Sequence, residues 1–198
     1  MKKIAFSLVT LLALSSSAMA EATDSGFYLG IGYGYLDQSM DAGSVHTDTT
    51  TNNVLFQGGF DINKYVGLEA RLWESVGSND ATQTGGFYPG TYDVSDAYAW
   101  GMYVKPAYPV LENFKVYGLV GYGVTSVKYN DNDVSTNGFS WGVGAEYAIN
   151  NNISCFVDYT DFIAPSSTDY TYTPSGYTNS IDTDIKTYTV NVGVTYKF

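Results

Sequence analysis

The last eleven residues constrain the chain most. Tyr188, Val190, Val192, Val194, Tyr196 and Phe198 alternate with Thr189, Asn191, Gly193, Thr195 and Lys197. A period of two sends successive side chains to opposite faces of a strand. One face of this segment is therefore apolar and aromatic, the other small or polar. Two environments suit such a strand: the wall of a transmembrane β-barrel, with lipid outside and a polar interior, or a soluble β-sandwich with one face in water. The rest of the chain decides between them.

The other end reads as an address. Met1-Lys2-Lys3 is a short cationic start, residues 4–14 are mostly apolar, and Ala18-Met19-Ala20 is a small-residue cleavage site. The apolar run is shorter than the roughly 20 residues that a helix needs to cross a bilayer. Residues 1–20 are expected to be a cleaved secretory signal peptide, leaving residues 21–198 as one domain. No Cys follows the site, so a lipoprotein-type signal is not expected.

Composition narrows the class of the exported domain. The chain has 19 Tyr and 21 Gly but only 15% charged residues, an unusual balance for a soluble exported protein. Aromatic side chains are enriched at membrane interfaces, and glycines fit a crowded barrel interior. Cys155 is the single cysteine and reads as a small apolar strand residue rather than half of a disulfide. A formal charge of -11 argues against nucleic-acid binding, which requires cations to neutralise phosphates. The excess carboxylates are expected in solvent-facing loops.

Eight alternating segments follow one another from residue 26 onward. In 26–36, Phe27, Leu29, Ile31, Tyr33 and Tyr35 oppose Tyr28, Gly30, Gly32 and Gly34; in 53–60, Val54, Phe56, Gly58 and Phe60 oppose Leu55, Gln57 and Gly59. In 65–74, Val66, Leu68, Ala70 and Leu72 oppose Gly67, Glu69, Arg71 and Trp73; in 95–106, Tyr98, Trp100, Met102 and Val104 oppose Ala99, Gly101, Tyr103 and Lys105. In 138–148, Phe139, Trp141, Val143, Ala145 and Tyr147 oppose Ser140, Gly142, Gly144 and Glu146; in 153–161, Cys155, Val157 and Tyr159 oppose Ser154, Phe156, Asp158 and Thr160. Segment 115–126 has no clear phase, because Val116, Val120 and Val124 compete with Tyr117 and Leu119. The eighth is the terminal strand.

Short connections (61–64, 107–114 and 149–152) alternate with long polar ones (37–51, 75–93, 127–137 and 162–184). This is the pattern of an up-and-down barrel with short periplasmic turns, long outer loops and both termini periplasmic. The fold class is therefore all-β: an eight-stranded antiparallel up-and-down transmembrane β-barrel, with belts of Tyr, Trp and Phe at both interfaces.

Several stretches carry a family resemblance: Gly26-Phe27-Tyr28-Leu29-Gly30, Tyr103-Val104-Lys105-Pro106, Gly142-Val143-Gly144-Ala145-Glu146-Tyr147 and Val194-Thr195-Tyr196-Lys197-Phe198. Over essentially the whole exported chain it resembles the small eight-stranded outer-membrane barrels of the OmpA-like transmembrane, opacity-protein and porin-like superfamily. The resemblance implies the outer membrane of a Gram-negative-type cell, with outer-membrane lipid and lipopolysaccharide as surroundings. It also implies an assembly signal in the last strand, at Val194, Tyr196 and Phe198, read by the barrel-assembly machinery. A monomer is expected, with no peptidoglycan-binding domain behind the barrel.

Six charges fall on the inward face: Glu69, Arg71, Lys105, Glu146, Asp158 and Lys197. Buried charges are costly unless paired, so three acids and three bases imply a compensating network across the lumen. Arg71 is placed to bridge Glu146 or Asp158. Two roles are compatible with such a network: a static plug that fills the lumen of a small barrel, and a gate that opens by exchange of partners.

Enzymatic chemistry is not expected. The lipid-modifying enzymes and proteases among small barrels use a His with Ser or Asp for proton transfer, and the one His, His46, stands among small polar loop residues. No cofactor or metal is expected: Asn130-Asp131-Asn132-Asp133 lacks the Gly and Glu of a calcium-binding hand loop. The outer end is acidic, through Asp37, Asp41, Asp48, Glu74, Asp80, Asp93, Asp131, Asp133, Asp169, Asp182 and Asp184. Residues 166–177 alternate Tyr with Thr and Ser, a composition that suits an adaptable binding surface. A structural or surface-recognition role, through an extracellular ligand of the loops, is the leading expectation, with a narrow gated pore as the alternative.

Overall fold

A lipid-embedded strand has no water to satisfy its N–H and C=O groups, so every strand must have a neighbour on both sides. The chain meets this requirement by closure. The computed structural model describes residues 25–42, 45–77, 79–84, 90–94, 96–129, 132–163 and 183–198. These form ten strands: β1 (Gly26–Ala42), β2 (Val45–Asn63), β3 (Val66–Ser75), β4 (Asn79–Thr84), β5 (Gly90–Val94), β6 (Asp96–Leu111), β7 (Phe114–Tyr129), β8 (Asn132–Ala148), β9 (Ile153–Ile163) and β10 (Thr183–Lys197). Eight of them, in the order β1-β10-β9-β8-β7-β6-β3-β2, close into an antiparallel barrel through the β1–β2 pairing. The expected signal peptide and the Tyr-rich stretch 166–177 lie outside the described residues.

The seam joins the first and last strands. Gly32 pairs with Gly193 and Tyr28 with Lys197, and the Phe198 N–H donates to the Phe27 carbonyl at 3.0 Å. At this end the chain turns tightly, at Lys64-Tyr65, at Glu112-Asn113 and through 149–152. Asparagines shape two of the turns: Asn63 Oδ1 accepts from the Tyr65 and Val66 amides, and Asn150 Oδ1 from those of Asn152 and Ile153. Side-chain amides that mimic a backbone acceptor are typical turn formers.

Within the described residues, three of the expected outer loops, 37–51, 75–93 and 127–137, are largely strand, and most of 162–184 lies outside them. Residues 37–42 and 45–51 form an antiparallel ladder that pairs Asp37 with Thr50 and Ala42 with Val45; β7 and β8 likewise run on, pairing Tyr129 with Asn132. The segment 75–93 holds an added hairpin, β4–β5, whose first strand lies against the upper part of β2 from His46 to Thr50. Gly77, at φ 89°, supplies the left-handed residue that turns the chain from β3 into it. Threonines explain the extension: Thr47, Thr49, Thr50 and Thr51 are β-branched residues that favour strands in water as well as in lipid. What separates the two ends is the height of the hairpins above the bilayer, not loop length alone.

Alternation persists around the wall. Ile31, Phe56, Leu68, Met102, Val120, Val143, Val157 and Val192 are exposed on the outside, with Tyr33, Tyr35, Tyr98, Trp100, Tyr122 and Trp141 toward the outer end and Tyr65, Tyr108, Tyr147, Tyr196 and Phe198 toward the turn end. The phase of β7 is settled: Tyr117 and Leu119 are buried inside, while Val116 and Val120 face out.

Close approach, rather than chain reversal, explains the glycine at position 121. A Cβ there would lie 1.9 Å from the Met102 carbonyl oxygen of β6, whereas at Gly118 the nearest atom, Pro106 Cγ, is 3.5 Å away. Overpacking against an immovable neighbour is destabilising by about 1–3 kcal/mol. Gly121→Ala should therefore lower the denaturant midpoint of the folded barrel in detergent by an amount of that size, and Gly118→Ala should leave it nearly unchanged.

Candidate functional site

Inside so narrow a barrel, inward side chains meet across the axis and must fill it. The small residues Gly30, Gly32, Gly34, Gly142, Gly144 and Gly193 make room, and the large ones on facing strands take it. At mid-height Leu55, Trp73 and Leu119 are 0% exposed, clustered with Tyr103, Tyr117, Phe156 and Phe162. Trp73 meets Phe162 edge-on at 5.3 Å and donates its indole N–H to Asn191 Oδ1 at 2.9 Å.

Below this layer the charges assemble. Arg71, 2% exposed, donates through Nη1 and Nη2 to the two oxygens of Asp158 at 3.0 and 2.7 Å, a bidentate fork across the lumen. Its Nε donates to Glu69 Oε1 at 2.6 Å, a contact set by their spacing, since residues two apart share one face of a strand. Tyr117 Oη and Asn191 Nδ2 add further donors to Asp158, at 2.7 and 2.8 Å. Nearer the turns, Glu69 Oε2 accepts from Tyr28 Oη at 2.5 Å and Lys105 Nζ at 2.9 Å. Lys105 also lies over the Tyr28 and Tyr117 rings, at 4.8 and 4.3 Å, and 3.6 Å from Glu146.

Of the six charges predicted from sequence, the geometry thus brings five into one network: Glu69, Arg71, Lys105, Glu146 and Asp158. Arg71 bridges Asp158, not Glu146. Lys197 is paired at 3.0 Å with Asp61. Two charges escaped sequence reasoning: Lys115, which binds Glu146 at 3.1 Å, and Asp61. Lys115 was hidden by the unclear phase of β7, because the phase that turns Tyr117 inward also turns Lys115 inward. Asp61 falls in a short connection by sequence, but β2 continues to Asn63 and places it on the inner face. With both included, the inward charges among the described residues are four acids and four bases.

At the turn end, the lumen holds a cavity of about 640 Å³ lined by Asp61, Lys64, Lys105, Lys115, Glu146 and Lys197, among others. Its floor is the Lys105 layer. Above that layer the Gln57 amide and the Thr51 hydroxyl are buried without a hydrogen-bond partner.

His46 lies far from the network, on the outer β1–β2 hairpin. Its Nδ1 is 2.5 Å from Asp41 Oδ1 and its Nε2 3.0 Å from Asp48 Oδ2, and Ser39 Oγ donates to the other oxygen of Asp48 at 2.9 Å. The hydrogen bond to Asp41, then the charge of Asp48, raise its pKa above the ordinary 6.5. Val194, Tyr196 and Phe198 lie on the outer face of the seam strand, exposed, with the Tyr196 and Phe198 rings edge to face at 5.1 Å.

Removing one partner of a buried pair leaves an uncompensated charge, at a cost of about 3–5 kcal/mol. Arg71→Ala, which strands Asp158 and half of Glu69, should destabilise the barrel by that much in reversible urea unfolding. Asp61→Asn, at a partly exposed pair, should cost about 0–1 kcal/mol. For His46 the folded pKa is raised, so the clamp stabilises the hairpin fully below pH 6.5 and is lost as pH rises through the folded value. The imidazole NMR titration should have its midpoint above 6.5 and move back toward it in Asp41→Asn.

Comparison with known proteins agrees with this architecture. Among solved structures the chain is similar to the outer membrane protein OprG from Pseudomonas aeruginosa, with a TM-score of 0.63 at 12% identity, over 88% of this chain and 97% of that one. It is similar to Neisserial surface protein A, with a TM-score of 0.56 at 15% identity over 88% and 99%. It is also similar to Ail, the attachment invasion locus protein of Yersinia pestis, solved in complex with the heparin analogue sucrose octasulfate, with a TM-score of 0.54 at 15% identity over 87% and 99%. At such identities the likeness is one of fold. No curated protein matches the sequence. Residues 6–198 match the family model described as the outer membrane protein beta-barrel domain, and the chain belongs to that family of bacterial outer-membrane proteins.

Proposed function

We propose that this outer-membrane barrel acts at its outer surface, as a structural and recognition protein, and not by passing solutes or by catalysis. The observation that carries this reading is the filled lumen: Trp73, Leu55 and Leu119 close the middle, and the Arg71–Asp158 fork closes the layer below. Both His46 nitrogens are occupied by carboxylates, which fits a binding surface better than a proton-transfer site. The hairpins β1–β2, β4–β5 and β7–β8 present ordered backbone above the membrane, a scaffold suited to holding a ligand.

Charge suggests the ligand's chemistry. Ail was solved with a polysulfated heparin analogue. On this chain the outer end displays Asp37, Asp41, Asp48 and Glu74 within an overall charge of -11, which would repel such a polyanion. Basic or hydroxyl-rich partners are favoured, and attraction between exposed charges weakens with salt.

A narrow gated pore is the second reading, favoured by one contact. Lys105 lies between two acceptors, Glu69 at 2.9 Å and Glu146 at 3.6 Å, so it can change partner without losing its charge compensation.

Planar-bilayer recording separates the two readings. Refolded wild-type protein, shown to be folded by its heat-sensitive gel mobility, should be silent. Discrete openings that change in Arg71→Ala would replace the surface reading by the gated pore. On cells, exchanging residues 38–49 for a tight turn should reduce adherence to a cationic surface and leave adherence to heparin-coated beads at background. Unchanged adherence to the cationic surface would remove the hairpin from the binding face.

A further inference from the structure

The charges of the lower lumen form a row with two unlike ends. Starting at mid-height, Asp158 pairs with Arg71 at 2.7 Å, Arg71 with Glu69 at 2.6 Å, and Glu69 with Lys105 at 2.9 Å. Lys105 is 3.6 Å from Glu146, and Glu146 pairs with Lys115 at 3.1 Å. Acid and base alternate along the whole row, from the buried Asp158 to Lys115 at the edge of the turn-end cavity. The Arg71 and Asp158 side chains are 0% exposed and that of Lys115 is 27% exposed, so the two ends differ in access to solvent as well as in sign. A row that is neutral as a whole but ends in unlike charges is a dipole. Like the summed peptide dipoles of a helix, it favours an anion at its positive end, and here that end opens into the cavity.

The other charges of the cavity do not reverse this sign. Asp61 is matched by Lys197 at 3.0 Å. On the rim, Glu112 is matched in number by Lys64, whose ammonium lies over the Tyr65 ring at 5.2 Å. The lining as a whole has four lysines and three acids. Its neutral polar groups add donors: Asn63 and Asn150 use their side-chain carbonyl oxygens on turn amides, which leaves the NH2 group of each to donate. A volume of about 640 Å³ is within the range of small-molecule sites.

We propose that the turn-end cavity is a binding site for a small organic anion that ends in a carboxylate or a phosphate. Lys115, where the row ends, is its main charge partner, and Lys64 on the rim adds a second. Glu146 competes with the ligand for Lys115. The anion enters from the turn end, because the Arg71–Asp158 layer and the Trp73 cluster fill the lumen above. The site lies at the opposite end of the barrel from the outer hairpins and is independent of them.

Isothermal titration calorimetry on the full protein, folded in a non-ionic detergent at fixed ionic strength, tests this with two probes, succinate and methyl phosphate. Wild type should bind at least one of them, and the tighter probe tells a carboxylate site from a phosphate site. Lys115→Gln should weaken binding about tenfold, the scale of one charge-assisted hydrogen bond, and Lys64→Gln should weaken it less. Glu146→Gln removes the competing acid and should tighten binding about threefold. All three should keep the heat-sensitive gel mobility of the folded barrel. Failure of folded wild type to bind either probe, or equal affinity in wild type and Lys115→Gln, would overturn the proposal. Weaker binding by folded Glu146→Gln would also overturn it, since the order of charges in the row would then not set the sign of the site. Exchanging residues 38–49 for a tight turn should leave the affinity unchanged. A loss of binding there would place the anion at the outer end and overturn the assignment to the cavity.

Discussion

Everything in this fold follows from the absence of water around its outer wall. Backbone groups that cannot reach solvent must be paired within the protein, so the sheet has to close. Closure with eight strands then leaves a lumen of a width that side chains from opposite walls can fill. The outside is settled by the same condition, because whatever faces lipid must be apolar, and aromatic near its edges. The polar content of each strand is therefore driven inward, into a space where side chains from opposite walls touch.

That compression explains why charge appears in the lumen as pairs and not as isolated groups. Arg71 and Asp158 come from opposite walls and meet in a planar fork, and Glu69 shares its two oxygens between Arg71 on one side and Lys105 and Tyr28 on the other. Among the described residues the balance of four acids and four bases leaves the interior formally neutral, while Asp41, Asp48 and Glu74 are exposed at the outer end. Buried pairs of this kind add less to stability than an equally well-packed apolar core would, since desolvation offsets much of their attraction. Their geometry does specify register, because a one-residue slip of β3 would turn Glu69 and Arg71 into lipid.

How much of this was legible in the chain differs by level. Inward and outward faces of seven segments could be read directly, because lipid on one side and a crowded polar lumen on the other make the alternation strong. β7 resisted because its glycines, at 118, 121 and 123, fall on both phases and its valines and Tyr117–Leu119 compete; only the partners across the lumen decide between them. Strand ends are not legible for a different reason. Hydrophobic alternation stops at the membrane surface, but hydrogen-bonded pairing does not, so β1, β2, β7 and β8 continue through polar sequence that reads as loop. The β4–β5 hairpin is the extreme case: Asn79–Thr84 has no apolar face and is a strand because the upper part of β2 offers it an edge. The identity of the interior partners, Arg71 with Asp158 rather than Glu146, depends on barrel curvature, which no local pattern encodes.

The distribution of partners also determines which part of the lumen is able to move. If Arg71 left Asp158, a carboxylate held by three different residues would lose its one cation, and Asn191 and Tyr117 would be left to solvate a buried charge with neutral donors alone. Lys105 is differently placed. When it leans from Glu69 toward Glu146, Glu69 keeps Arg71 and Tyr28, and Glu146 already has Lys115 beside it. No group is stranded at either end of that movement. The wide cavity at the turn end lies directly against Lys105, so its displacement needs no rearrangement of the Trp73 layer. The lumen therefore sets a lower cation with two acceptors beneath a layer, Arg71 with Asp158, whose disruption is strongly unfavourable.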